Sequence, residues 1–378
     1  MGVGPAILVF LLLAVGWTLL PFIPGWRELV RKSDAAALPI QRRSEVDVRH
    51  FAQGFRAYLD RTLAGILERS RTAAGAVAGE LADGTAYLVV PGGAAEADLP
   101  AAERSYCTRL VVSTGDLRLP ADCVHAAEVY AGGELVGGAR SVYRAAMADG
   151  ALTLAEGSAS LRWLHARRAL TAGQGSRMCG RTSSDESVHL APGCSFERLH
   201  APRITFGDAI PGPQPAAGVT AVPESAPLAE ADVRGLVDTR GGRWLVKGDF
   251  ELPAGRCLDH DLVVDGAVVL REGARLQCSL KSRGPFRAER GVTVTGSVVG
   301  QRDVAFGPGC RVAGPVVSEQ TLTLGAGSVV GSPASPTTVS ALDIRIVPGV
   351  LCHGSVWAHR RGDVLVPAAS AGERDVTA

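Results

Sequence analysis

Residues 250–331 read FELPAGRCLDHDLVVDGA, VVLREGARLQCSLKSRGP, FRAERGVTVTGSVVGQRD, VAFGPGCRVAGPVVSEQT and LTLGAGSVVG when the chain is broken every 18 residues. One column holds a glycine in every row: Gly255, Gly273, Gly291, Gly309 and Gly327. A sixth row, IRIVPGVLC around Gly349, arrives 22 residues after the fifth, so four extra residues fall within Ser332 to Ala341. A fixed period of this kind, running from Gly248 to Gly354, marks a solenoid.

The other columns identify the kind of solenoid. Five residues before the glycine stand Phe250, Val268, Phe286, Val304 and Leu322, and three before stand Leu252, Leu270, Ala288, Phe306 and Leu324. Three after come Leu258, Leu276, Val294, Val312 and Val330. Even spacing puts these side chains on one face of short strands, whereas Glu251, Arg271 and Arg287 point away. Short apolar alternations broken by one glycine per row predict an all-β fold, a parallel β-helix with 18 residues and three brief strands per coil. The glycine is expected at a corner that a Cβ would obstruct. One coil buries about four core side chains at ~1.5–3 kcal/mol each, against ~1–2 kcal/mol for ordering each backbone residue. A single coil is therefore unstable, and stacking is obligatory.

The 378 residues are 46% apolar but only 5% aromatic, a composition suited to Val/Leu/Ala-built β repeats. With 39 basic and 38 acidic residues, the chain lacks the charge of a nucleic-acid surface.

Ala6 to Ile23, AILVFLLLAVGWTLLPFI, is uncharged and predicts a transmembrane helix, with Leu8, Phe10, Leu12, Trp17, Leu20 and Phe22 facing lipid. Arg27, Arg31, Lys32, Arg42 and Arg43 follow it and none precedes it, which by the positive-inside rule sets a single pass through the inner membrane with the bulk of the chain in the cytoplasm. From Ser44 to Arg71, Phe51, Phe55, Leu59, Leu63 and Leu67 recur at helical spacing, an amphipathic helix whose stripe packs on the rest of the protein or on a second copy.

The β pattern starts at Ala86, worn at first in DLRLPADCV and AEVYAGGELV, and locks into the 18-residue period at Gly157, Gly175 and Gly193. The expected organisation is an anchor (1–25), a basic juxtamembrane segment (26–44), the amphipathic helix (45–82) and a first, irregular β-helical block (86–206). A Pro-rich linker (207–240), a second β-helix (241–360) and a tail (361–378) complete it. Prolines 211, 213, 215, 223 and 227 remove ladder donors and define the linker. The two blocks can stack coaxially or hang apart on this evidence.

Chemistry-bearing patterns are sparse. The eight cysteines include no C-x-x-C pair, and the histidines show no metal-ligand spacing, so no metal or cofactor is expected. His260 and His353 lie within the repeats and are the places to look for catalysis, although an outward or corner histidine without a role is the plainer reading.

The apolar-x-apolar-x-x-Gly phrase, its 18-residue period and the flanking membrane segment resemble the bactofilins, bacterial polymer-forming cytoskeletal proteins. The resemblance covers Trp244 to Trp357 and, more weakly, Leu152 to Phe206. It implies a right-handed triangular β-helix assembling end to end into a homopolymer, without nucleotide, on the inner membrane face. Such a polymer would localise cell-envelope or morphogenesis proteins, would not be an enzyme and would have no catalytic residue. Here the second β-helical block and the full spanning helix depart from the family's compact pattern. The repeat supports assembly independently, because end coils leave backbone groups unpaired. Trp244, Phe250 and Leu252 would lie at one polymer end, Val356 and Trp357 at the other. Two alternatives remain: a membrane-tethered binding module that does not polymerise, and a left-handed hexapeptide-repeat acyltransferase. The latter pattern wants a small residue where Phe250, Val268, Phe286, Val304 and Leu322 stand.

Overall fold

The computed structural model describes residues 3–23, 26, 49–70, 75–93, 97, 99–100, 103–207, 226–233, 235–238 and 243–367. The chain forms two units, Met1–Asp47 and Val48–Ala378. The second unit holds a parallel β-solenoid of about 13 turns with about 18 residues per turn.

In residues 243–364 each turn contributes short strands that pair in parallel with their counterparts one turn on. Phe250–Leu252 pairs with Val268–Leu270, which pairs with Phe286–Ala288, and the series continues to Thr321–Leu324. Phe250, Val268, Phe286, Val304 and Leu322 thus lie one above another, each at most 4% exposed. The corner glycines have φ between +66° and +71°, the left-handed angle required at the third residue of a type II turn. A Cβ at Gly255, Gly273, Gly291 or Gly309 would meet nothing within 4 Å. The expected obstruction is therefore absent, and the backbone angle alone selects glycine.

The register locates the insertion. Val330 lies 18 residues beyond its partner Val312, Val339 lies 23 beyond Val316, and Ile344 lies 22 beyond Leu322. The extra residues enter at the turn in which Ser332 and Ser335 exchange backbone hydrogen bonds of 3.1 Å.

The first block repeats the same turn. Leu117, Leu135, Leu152, Leu170, Val188 and Ile204 form one column, and Gly157, Gly175 and Gly193 have φ of +68° to +77°. Before them the corner is occupied by Asp122 (φ 58°) and Arg140 (φ 53°). The worn rows are full turns whose corner residue is not glycine. Asp tolerates this conformation, and Arg140 is held in it by two 2.7 Å bonds from Nε and Nη2 to the Asp122 carboxylate.

The blocks meet at their last turns. Ser195–Phe206 runs antiparallel to Val350–Val364, with Leu199 opposite Val356 and Phe206 opposite Val350. The two blocks therefore advance toward each other along one axis, and one apolar core runs through both. Gly207 leaves the stack at this junction, whereas Ala226 to Leu228 bond to Cys257 at the far end of the second block. Residues 208–225 of the expected linker, and the tail beyond residue 367, lie outside the described residues.

The N-terminal unit contains α1 (Val3–Leu19), 17 residues long, followed by one 3-10 turn at Leu20–Phe22. The expected span to Ile23 is thus a shorter α-helix, ended where Pro21 enters the tighter turn. No helix among the described residues is long and apolar enough to cross a membrane. In the larger unit, α2 (His50–Thr62) and α3 (Ala64–Ser70) replace the single helix expected to Arg71, with the break at Leu63. Ala52, Leu59 and Leu63 are buried against Val112, Tyr130, Met147 and Trp163 on the outer face of the first block, so the apolar stripe packs on the solenoid. Val77–Glu80, which the sequence reading included in the helical segment, is a strand.

Candidate interaction surfaces

The outermost turn of a parallel solenoid leaves a strand edge unpaired and open to other chains. On the second block, Arg243–Val246 is met by Leu236–Asp238, antiparallel, with Leu236 opposite Val246. Cys257 is met by the preceding segment: Leu228 N donates to Cys257 O at 2.9 Å, and Cys257 N donates to Ala226 O at 3.2 Å. Arg256 fastens this cover by donating from Nη2 to Pro227 O at 2.9 Å. Trp244, Phe250 and Leu252, expected at a polymer end, are 1%, 4% and 0% exposed. The first block is closed similarly, since Val77–Glu80 runs antiparallel to Ala86–Val90.

Val356 and Trp357, expected at the other end, lie within the internal junction. Val356 is buried opposite Leu199, and the Arg198 guanidinium sits 4.3 Å over the Trp357 ring. His200 Nδ1 meets Ser355 Oγ at 2.9 Å. His353, also buried, donates from Nδ1 to Pro202 O at 2.8 Å. Aliphatic side chains from both strands, among them Ile204, Phe206, Val350 and Val356, are wholly buried. One of the two histidines considered for catalysis is thus a cross-block hydrogen-bond donor. The other, His260, stacks on Trp244 with ring centroids 5.0 Å apart.

Two clefts flank α2 on the first block. One, of about 440 Å³, lies over His165 and Met147. Its charges are matched: Arg56 grips Asp149 with both carboxylate oxygens, Tyr130 donates to Asp149 at 2.7 Å, and Arg49 pairs with Asp185 at 3.1 Å. The hydrogen bond to Asp149 raises the Arg56 pKa. This cleft is the clamp that docks the helix. His165 at its floor donates or accepts at Nδ1 with Ser183 Oγ, 3.0 Å away, and burial lowers its pKa.

The second cleft, of about 360 Å³, lies at the other end of α2 and is lined by Phe51, Leu161, Trp163 and the arginines Arg162, Arg181 and Arg198. It sits where three successive strands bulge, between Ser160 and Trp163, Met178 and Arg181, and Phe196 and Arg198. Gly180 (φ +82°) forms the middle bulge, where a Cβ would lie 2.1 Å from Arg162 O. Its N–H is taken by Glu197 Oε2 at 3.0 Å. No repeat column announces these residues, because the bulges shift them out of the 18-residue frame.

The remaining expected sites fall into place as follows. Leu8, Phe10, Leu12, Trp17, Leu20 and Phe22 are all more than half exposed on the N-terminal helical segment. Arg27, Arg31, Lys32, Arg42 and Arg43 lie outside the described residues. Five of the eight cysteines are buried and Cys179 is exposed. Burial pushes the Cys107, Cys278 and Cys352 thiols up to about 12 and Cys194 to about 11, which keeps them protonated and unreactive at neutral pH. Among the described residues no group of three or more His, Cys, Asp or Glu side chains is placed to hold a metal ion. No family model, curated protein or solved structure matches the chain.

Proposed function

We propose that this protein is a membrane-tethered, non-catalytic scaffold whose stacked solenoid serves as a binding module and does not polymerise. The observation that carries the reading is the closure of both outer turns by antiparallel strands, Val77–Glu80 on one block and Leu236–Asp238 on the other. Antiparallel closure occupies the hydrogen-bonding groups that a further solenoid turn would need. Support for the tether comes from the N-terminal segment, whose apolar side chains are exposed all round, a surface suited to lipid. The basic residues that follow it in sequence favour the cytoplasmic side of the inner membrane.

One observation favours the polymer-forming reading implied by the bactofilin resemblance. The internal junction is itself a contact between solenoid ends far apart in the chain, so ends of this sequence can stack. In that reading the covers over Trp244 and Ala86 would be displaced as subunits join, and the polymer would localise cell-envelope proteins. Sedimentation and negative-stain microscopy of residues 49–367 separate the two. A monomer at high concentration is expected, and nucleotide-independent filaments would establish the polymer instead.

A further inference from the structure

The arginine-lined cleft beside α2 has no assigned purpose in a scaffold. Arg181 and Arg198 are Cα partners on adjacent turns, about 4.8 Å apart in the pairing direction. Like charges directly opposite on neighbouring strands are destabilising, and Arg162 adds a third positive charge to the same rim. Among the described residues, none of the three makes an ion pair or hydrogen bond. Burial and the Arg198 charge lower the Arg181 pKa, the direction expected where cations gather without a counter-charge. Glu197, the one acid in the cleft, is occupied by the Gly180 N–H.

The aromatic partners orient these cations. The Arg181 guanidinium lies 4.7 Å from the Phe51 ring centroid, and Arg198 lies 4.3 Å from that of Trp357. A guanidinium stacked by its face keeps its N–H donors in the plane, pointing past the ring. Two such forks on neighbouring turns present convergent donors matched to a carboxylate or phosphate. Trp163, 7% exposed, and Leu161, 54% exposed, add an apolar wall. A volume of about 360 Å³ is in the range of small-molecule sites.

We propose that this cleft binds a small organic anion, its carboxylate or phosphate held between Arg181 and Arg198 and its apolar body laid against Leu161, Trp163 and Phe51. The site is independent of whether the solenoid polymerises. Isothermal titration of the full-length protein with phenyl phosphate, benzoate and inorganic phosphate tests it and distinguishes the two anion types. Saturable binding is expected for phenyl phosphate or benzoate, tighter than for inorganic phosphate and weakening as salt is raised. Arg181→Gln or Arg198→Gln should weaken it about tenfold or more. Leu161→Asp, at an exposed position where folding is not at stake, should abolish it by supplying an internal carboxylate. Arg287→Gln, on the second block, should leave it unchanged. Bound ligand should also shield Cys179, the exposed thiol in the cleft, from alkylation. Absence of saturable binding, affinity no better than for inorganic phosphate, or unaltered affinity in Leu161→Asp would overturn the proposal.

Discussion

His125 is buried to 1% exposure and stacks on Tyr143, ring centroids 5.1 Å apart, with neither ring nitrogen hydrogen-bonded. Burial alone lowers its pKa to about 4. Between the ordinary histidine value of about 6.5 and that figure, the unfolded chain binds a proton that the folded chain excludes. Stability therefore rises with pH through this window and is lost as pH falls through it. The displacement corresponds to about 3 kcal/mol. His125→Phe keeps the stack and removes the titration. Its denaturant midpoint should fall less than that of the parent between pH 7 and pH 4, and an equal fall in both proteins would contradict the buried neutral histidine. The same scale explains the worn rows: Asp122 and Arg140 adopt the corner angle that glycine takes elsewhere, with their mutual ion pair offsetting part of the strain.

At the scale of elements, the decisive contact is between Ser195–Phe206 and Val350–Val364. Ile204 is fully buried there, opposite Cys352. Ile204→Asp would place an unpaired charge in that core, at a cost of several kcal/mol, and should part the junction while leaving the outer turns folded. Hydrogen exchange would then accelerate at residues 195–206 and 350–364 and stay slow at 262–316; uniform acceleration would mean that the blocks unfold as one. The helices behave as a second docked element. The spacing of Ala52, Phe55, Leu59 and Leu63 buries one stripe on the sheet, and the Arg56–Asp149 pair fixes its position.

At the scale of the molecule, a stack of two opposed blocks has its two last turns inside and its two first turns outside, each under an antiparallel strand. Removing one block should restore a sticky end. Residues 236–363 alone would expose the Val350–Val364 edge and the apolar side chains of Val350, Cys352 and Val356. That fragment is expected to dimerise or aggregate in sedimentation at concentrations where residues 49–367 remain monomeric. A strictly monomeric fragment would show that the junction contributes little to closing the stack.

The turn itself was legible in the sequence because its determinants are local. An 18-residue recurrence of apolar pairs and a residue able to take positive φ are enough to dictate coil, register and core column, and Phe250, Val268 and Phe286 stack as their spacing requires. The stripe on α2 was legible for the same reason. The opposed stacking, the covers over both outer turns and the arginine cleft were not. His200 and Ser355 are 155 residues apart, and no periodicity relates them; their pairing depends on two completed solenoid ends having complementary shape. The cleft depends on bulges that take Arg162, Arg181 and Arg198 out of the repeat frame and on a helix docked from outside it. Sequence alone therefore determined what one turn is, through short-range backbone and burial preferences. Only the tertiary structure decided how the turns end, because an end is defined by whichever distant segment pairs with its exposed backbone.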